Sequence, residues 1–150
     1  MRGLRTDFGR WVWTEQKGAI QVAVPDTGQG LARGLYAAAV GAEGERFELA
    51  EDVAENLAAA CDRLVEDLRK AMATGHSVTE VNGFPELPSG RGLAVGFGDK
   101  GRQFLDTVAA FQETALLFKA AYLAAGRKLA DAEAANRAAL ELVTEYLDPR

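Results

Sequence analysis

One cysteine and one histidine stand in this chain of 150 residues. A lone thiol excludes an intramolecular disulfide and cannot build a zinc site by itself. A lone histidine, His76, removes most histidine-dependent acid–base and metal schemes. No stretch approaches 18 consecutive apolar residues, so no membrane-spanning helix is expected. Basic residues are outnumbered 17 to 22, and a net charge of -5 argues against general affinity for nucleic acid or anionic membrane. Aromatic residues make up 8% of the chain against 48% hydrophobic, and much of the apolar share is alanine. Alanine buries little area, which favours long, close-packed helices over a thick core.

Catalytic motifs are missing as well. There is no G-x-S-x-G, no H-E-x-x-H and no Glu-x-x-His pair of the kind used by di-iron bundles. The carboxylates fall on outward helical positions. No catalytic residue, cofactor or metal ligand is therefore assigned, and turnover is not expected. Arg2, Arg5 and Arg10 make the N-terminus basic, but charges interrupt every apolar run that follows. That is not a cleavable secretory signal, so a cytoplasmic location, or export by another route, is expected.

What the chain does have is a repeat. Phe97, Phe104, Phe111 and Phe118 stand seven residues apart. At 3.6 residues per helical turn, that spacing keeps all four rings on one stripe. A second core position holds Gly101, Val108, Ala115, Tyr122, Leu129, Asn136 and Val143. Residues 45–73 carry a heptad of their own, with Phe47, Ala54, Cys61 and Leu68 at one position and Ala50, Leu57, Leu64 and Ala71 at the other. Cys61 on that stripe acts as a small hydrophobe. Acidic residues crowd the start of this helix and basic ones its end, which suits the helix dipole.

Three regions follow: a Gly-rich segment over 1–44, and a helical hairpin over 45–150 made of helices at about 45–73 and 91–147. The connection 74–90, with three glycines and two prolines, is long for two helices, and Ser89 is a plausible N-cap after it. The seam continues in phase through Gly126, which favours one continuous last helix of roughly 84 Å. The fold expected is all-α, an antiparallel helical hairpin or coiled coil behind an irregular N-terminal segment. Short strands are expected at Trp11–Trp13 and Ala19–Val24, and a helix over Thr27–Val40.

A loop-set register puts Leu68 near Phe97 and Phe47 near Phe118. The interaction seam is then Phe47, Leu57, Leu64, Leu68, Phe97, Phe104, Val108, Phe111, Phe118, Tyr122 and Leu129, with Trp11 and Trp13 as an apolar cap. The long helix outreaches its partner, leaving Leu123, Leu129, Leu140, Val143 and Tyr146 to meet a second copy or a related helical protein. Two other roles compete. The Trp11/Trp13 region with Arg10 and Lys17 suggests a membrane- or nucleic-acid-surface binder. Gly28, Gly30 and Gly34 after an apolar run suggest a phosphate-holding turn of a small nucleotide-binding protein. Against the last, no strand–helix alternation follows residue 45. Gly30 and Gly34 are expected instead to allow close helix contact.

The stretch Gly83–Ala134 reads G-F-P-E-L-P-S-G-R-G-L-A-V-G-F-G-D-K, then the phenylalanine heptads, then A-A-G-R-K-L-A-D-A-E. With two Ala-rich heptad helices, it resembles the WXG family of small type VII secretion proteins and its longer actinobacterial relatives. The resemblance covers about one-third of the chain. It implies a non-catalytic, dimerising, chaperone-like or scaffold component of such a system. Two family features are missing: no W-x-G stands in the loop, and no Tyr-x-x-x-Asp/Glu signal follows. Leu129 and Glu133 keep that spacing without the tyrosine. The resemblance thus implies a partner subunit rather than a self-sufficient export substrate.

Overall fold

The computed structural model describes residues 24–41 and 46–147. They form four helices: α1 (Gln29–Val40), α2 (Glu51–Gly75), α3 (Pro88–Ala125) and α4 (Leu129–Leu147), with a 3₁₀ turn at His76–Val78. The protein is all-α, and no strand occurs among the described residues. Trp11, Trp13 and the strand expected at Ala19–Val24, apart from Val24 itself, lie outside them.

The helix α3 is the hub. At backbone level α1, α2 and α4 each pack on it and not on one another. Its second half is buried on almost every side, from Val108 to Ala125, as a helix hydrophobic all round must be. Alanine predominates in the core. One cluster joins Ala32, Val65, Ala115, Leu116, Leu117 and Ala139; another joins Ala39, Ala58, Leu123, Ala124, Ala125 and Ala132. Among the described residues no large side chain is completely buried. Alanine lets the helices approach closely, and the stability comes from many short contacts.

The continuous helix expected over 91–147 does not form. At Gly126 the chain reverses, and α4 returns along α3. The reversal has the hydrogen bonds of a Schellman cap: Lys128 N–H donates to Leu123 O at 2.8 Å and Arg127 N–H to Ala124 O at 3.0 Å. The left-handed residue is Arg127, with φ 66°, and not the glycine. Gly126 serves a different purpose, since a Cβ placed on it would stand 2.4 Å from the Ala54 Cβ of α2. The alanine seam of α4 (Ala132, Ala135 and Ala139) is buried. Folding back gives that weak seam a surface within the same chain, which a projecting helix would have lacked.

The connection between α2 and α3 is shorter than expected. α3 begins at Pro88, where the missing N–H costs nothing. Leu87 occupies the N-cap position, not Ser89. The chain after the 3₁₀ turn then crosses α3 so closely that a Cβ on Gly101 would lie 2.3 Å from Val78 O, and one on Gly98 2.8 Å from Thr79 O.

The antiparallel register of α2 against α3 also departs from the loop-set one. Asp62 pairs with Lys119 at 2.7 Å, Ala54 meets Gly126, and Gly75 meets Phe104 and Leu105. Leu68 is therefore not opposite Phe97. Phe47 reaches Tyr122, with ring centroids 6.4 Å apart, and Tyr122 in turn meets Phe118 at 6.0 Å. The cause is the path after Gly75: the chain runs on beside α3 for several residues before reversing, which slides α2 along its partner.

Candidate functional site

Counting 100° per residue around α3 locates its neighbours. Gly101, Gln112 and Lys119 meet the α2 side, through Val78, Met72 and Asp62. Asp106 bonds Tyr146 of α4. Ala110, Glu113 and Thr114 bond Thr27, Gln29 and Arg33 at the start of α1. These directions leave about two-fifths of α3's circumference, between Thr114 on the α1 side and Lys119 on the α2 side, without a helix among the described residues. The phenylalanine stripe lies in the middle of that arc.

Position along the stripe decides exposure. Phe118 packs against the cluster of Ala32 and Val65, between α1 and α2. Phe111 and Phe104 are each 46% exposed, and Phe97 is 56% exposed. Helix α1 covers α3 only from about Ala110 onward, so Leu93, Phe97 and Phe104 have no wall on that side. Phe84 stacks on Phe97 at 5.9 Å.

The flanks extend the apolar face. On α2, Asp62 and Arg69 line the grooves towards α4, which puts Leu57, Leu64 and Leu68 on the opposite flank, beside the rings. Leu64 is exposed, while Leu57 and Leu68 are half-buried. On α1, Arg33 and Tyr36 turn towards α4, so Leu31 and Leu35 border the rings from the other side. Among the described residues Lys100 is the one charged side chain along the ring line between Leu93 and Phe111, and it bonds Gln103 at 2.9 Å.

The expected seam residues thus divide. Val108 is buried, Phe47, Phe118 and Tyr122 are partly so, and Leu64, Phe97, Phe104, Phe111 and Leu129 are exposed. Leu129 begins α4, away from the rings. The ridge expected to meet a partner divides too: Leu123 is buried, Val143 and Tyr146 are half-buried, and Leu129 and Leu140 are exposed.

Polar groups gather elsewhere. Glu113 is buried between α1 and α3, where its carboxylate accepts from Gln29 Nε2 at 3.2 Å and Arg33 at 3.1 Å. Thr27 Oγ1 lies 2.6 Å from Thr114 Oγ1 and donates to Ala110 O at 3.0 Å. This network fixes α1 on α3, and no sequence motif announced it; a glutamate amid an alanine-rich stretch was the only signal. Gly30 and Gly34 face open space and make no close helix contact. The groove beside Gly30 presents Asp26 and Glu113 with Arg33, a poor setting for a phosphate.

The single thiol, Cys61, faces the core, and burial pushes its pKa up, with Asp62 adding to the rise. The histidine lies at the rim of an open groove of about 630 Å³ between α2, α3 and α4, with Met72, Gln112 and Glu145. Among the described residues no three His, Cys, Asp or Glu side chains gather as metal ligands, and no helix is long and apolar enough to cross a membrane. Compared with known protein families, curated proteins and solved structures, the chain matches none.

Proposed function

We propose that this protein is a non-catalytic helical interaction component. The observation that carries the proposal is the half-exposed heptad of Phe97, Phe104 and Phe111, three rings on one stripe of α3. A strict seven-residue repeat matches a second helix laid along it in coiled-coil fashion. Exposed rings in a line that carries a single charge, Lys100, are costly for a monomer and useful to a binder. The partner is helical: another copy of this chain or a related protein.

The coiled-coil pairing expected inside a hairpin is thereby reassigned to this outer face. The resemblance to WXG-type proteins adds a context, a dimerising, chaperone-like or scaffold subunit linked to type VII secretion. Cytoplasmic residence, with export by a route lacking a cleavable signal, belongs to the same proposal. No cofactor, metal or nucleic acid is required by it.

A photoreactive residue at position 97, compared with one at position 133 on the exposed side of α4, tests this in cells. Crosslinking from 97 into a helical protein, or into another copy, is expected. Crosslinks from 97 no different from those at 133 would remove the proposal.

A further inference from the structure

We infer that the phenylalanine face pairs with the same face of a second copy, antiparallel, about a two-fold axis passing near Phe104. The inference rests on the interaction role proposed above and names its partner.

Three observations point to self-pairing. The first is self-complementarity, which a two-fold interface demands. Phe97 and Phe111 are equally spaced about Phe104, so an antiparallel copy sets each Phe97 against Phe111 of the second copy. The second observation is space. The lane beside Leu93–Phe104 is the one that α1 leaves empty before Ala110, and residues 104–115 of a second α3, which a two-fold at Phe104 sets opposite 93–104, would run along it.

The third is area and charge. Leu31, Leu64, Leu93, Phe97, Phe104 and Phe111 are between 46% and 66% exposed. At on the order of 100 Å² apiece they present roughly 600 Å² per copy, before half-buried neighbours count. Two copies would bury about 1,200 Å², the lower edge of a stable interface. The chain's net charge is -5, yet among the described residues the ring line carries only Lys100. Counting round the helix, Asp99 and Asp106 fall on the flank away from the rings. Two acidic molecules can therefore meet here without opposing carboxylates.

A residue on a two-fold axis faces its own mate, which gives a decisive test with the full chain. Sedimentation velocity at tens of micromolar should show a dimer. Phe104→Glu and Phe104→Lys should each weaken it by at least about thirtyfold, because each sets like charges together and removes a central anchor. Mixing the two variants should restore a dimer containing one of each. If either variant loses its circular-dichroism melt, Phe97→Glu mixed with Phe111→Lys provides the same test away from the axis.

A monomeric wild type, a dimer unaffected by both charges, or a mixture that stays monomeric overturns self-pairing. A monomeric wild type whose position-97 probe still crosslinks to another helical protein overturns the second copy while the interaction role stands. Crosslinks into residues 1–23 of the same chain also overturn it, since that segment would then be the occupant.

Discussion

Gly126 and Ala54 touch where the α3–α4 reversal passes over the first turns of α2, so closely that no β-carbon fits between them. This contact links the direction of α4 to the position of α2. Without it the reversal would sit further out and the alanine seam of α4 would lose its fit on α3.

Gly126→Ala should therefore destabilise the protein. Helix propensity alone favours alanine by about 1 kcal/mol. Against that, the new methyl meets Ala54 at 2.4 Å, and overpacking of a tight contact costs typically about 1–3 kcal/mol. A fall in urea midpoint without a change in slope is the expected result. The double variant Gly126→Ala, Ala54→Gly should recover much of the loss.

Arg127 is the next site to test, because its left-handed backbone is one that side chains resist by roughly 1–2 kcal/mol. Its guanidinium meets Glu48 at 2.7 Å, but both side chains are about half exposed, and such pairs contribute about 0–1 kcal/mol. Arg127→Gly should thus be neutral or stabilising by up to about 1 kcal/mol. Arg127→Val should be destabilising, since a β-branched residue fits that backbone worst. Thermal melts should place Arg127→Val below the wild type and Arg127→Gly level with it or above.

The all-α character was legible from spacing, because periodicity records which residues share a face; of the heptad positions read over 45–73, however, only Ala54 and Cys61 are buried, and Ala58 and Val65 complete the face that α2 buries. What the spacing could not record was which partner each face meets. The heptad phase through Gly126 is as compatible with a helix that folds back as with one that projects, since Ala132, Ala135 and Ala139 fall on one stripe in either case. The deciding term is the packing of Gly126 on Ala54, a contact between residues 72 positions apart. Register was hidden for a similar reason: it depends on how far the 3₁₀ turn and the loop run beside Gly98 and Gly101. The rings were found by their repeat, but they were expected inside the hairpin. They lie outside it because α2 presents Ala58, Cys61 and Val65 to α3 and turns Leu64 away.

The buried Glu113 sets up a contrast between two ends of one ion pair. Glu113→Ala should cost about 1–3 kcal/mol, because Gln29 loses its side-chain acceptor in a buried site. Arg33→Ala should cost less than about 1 kcal/mol, since its side chain is 61% exposed. Denaturant titration of the two variants separates them. Equal losses would show that the Arg33 contact, and not the buried amide bond, is what holds α1.

The face proposed for binding makes a prediction in stability as well as in association. In a closed hairpin, Phe111→Ala would empty a core site and cost about 3–5 kcal/mol. The ring is instead 46% exposed, and the half that is buried corresponds to roughly 1–1.5 kcal/mol of transfer free energy. Leu123, at 5% exposure within the α3 cluster, is the control, and Leu123→Ala should cost about 2–5 kcal/mol. In dilute protein, then, Leu123→Ala should lower the unfolding midpoint well below that of Phe111→Ala. Raising the protein concentration should bring the two closer, because a bound helix covers Phe111 and adds the missing burial to the wild type, while Leu123 gains nothing. A Phe111→Ala penalty as large as that of Leu123→Ala at every concentration would show that the ring is already covered within the single chain, and the free face would not exist.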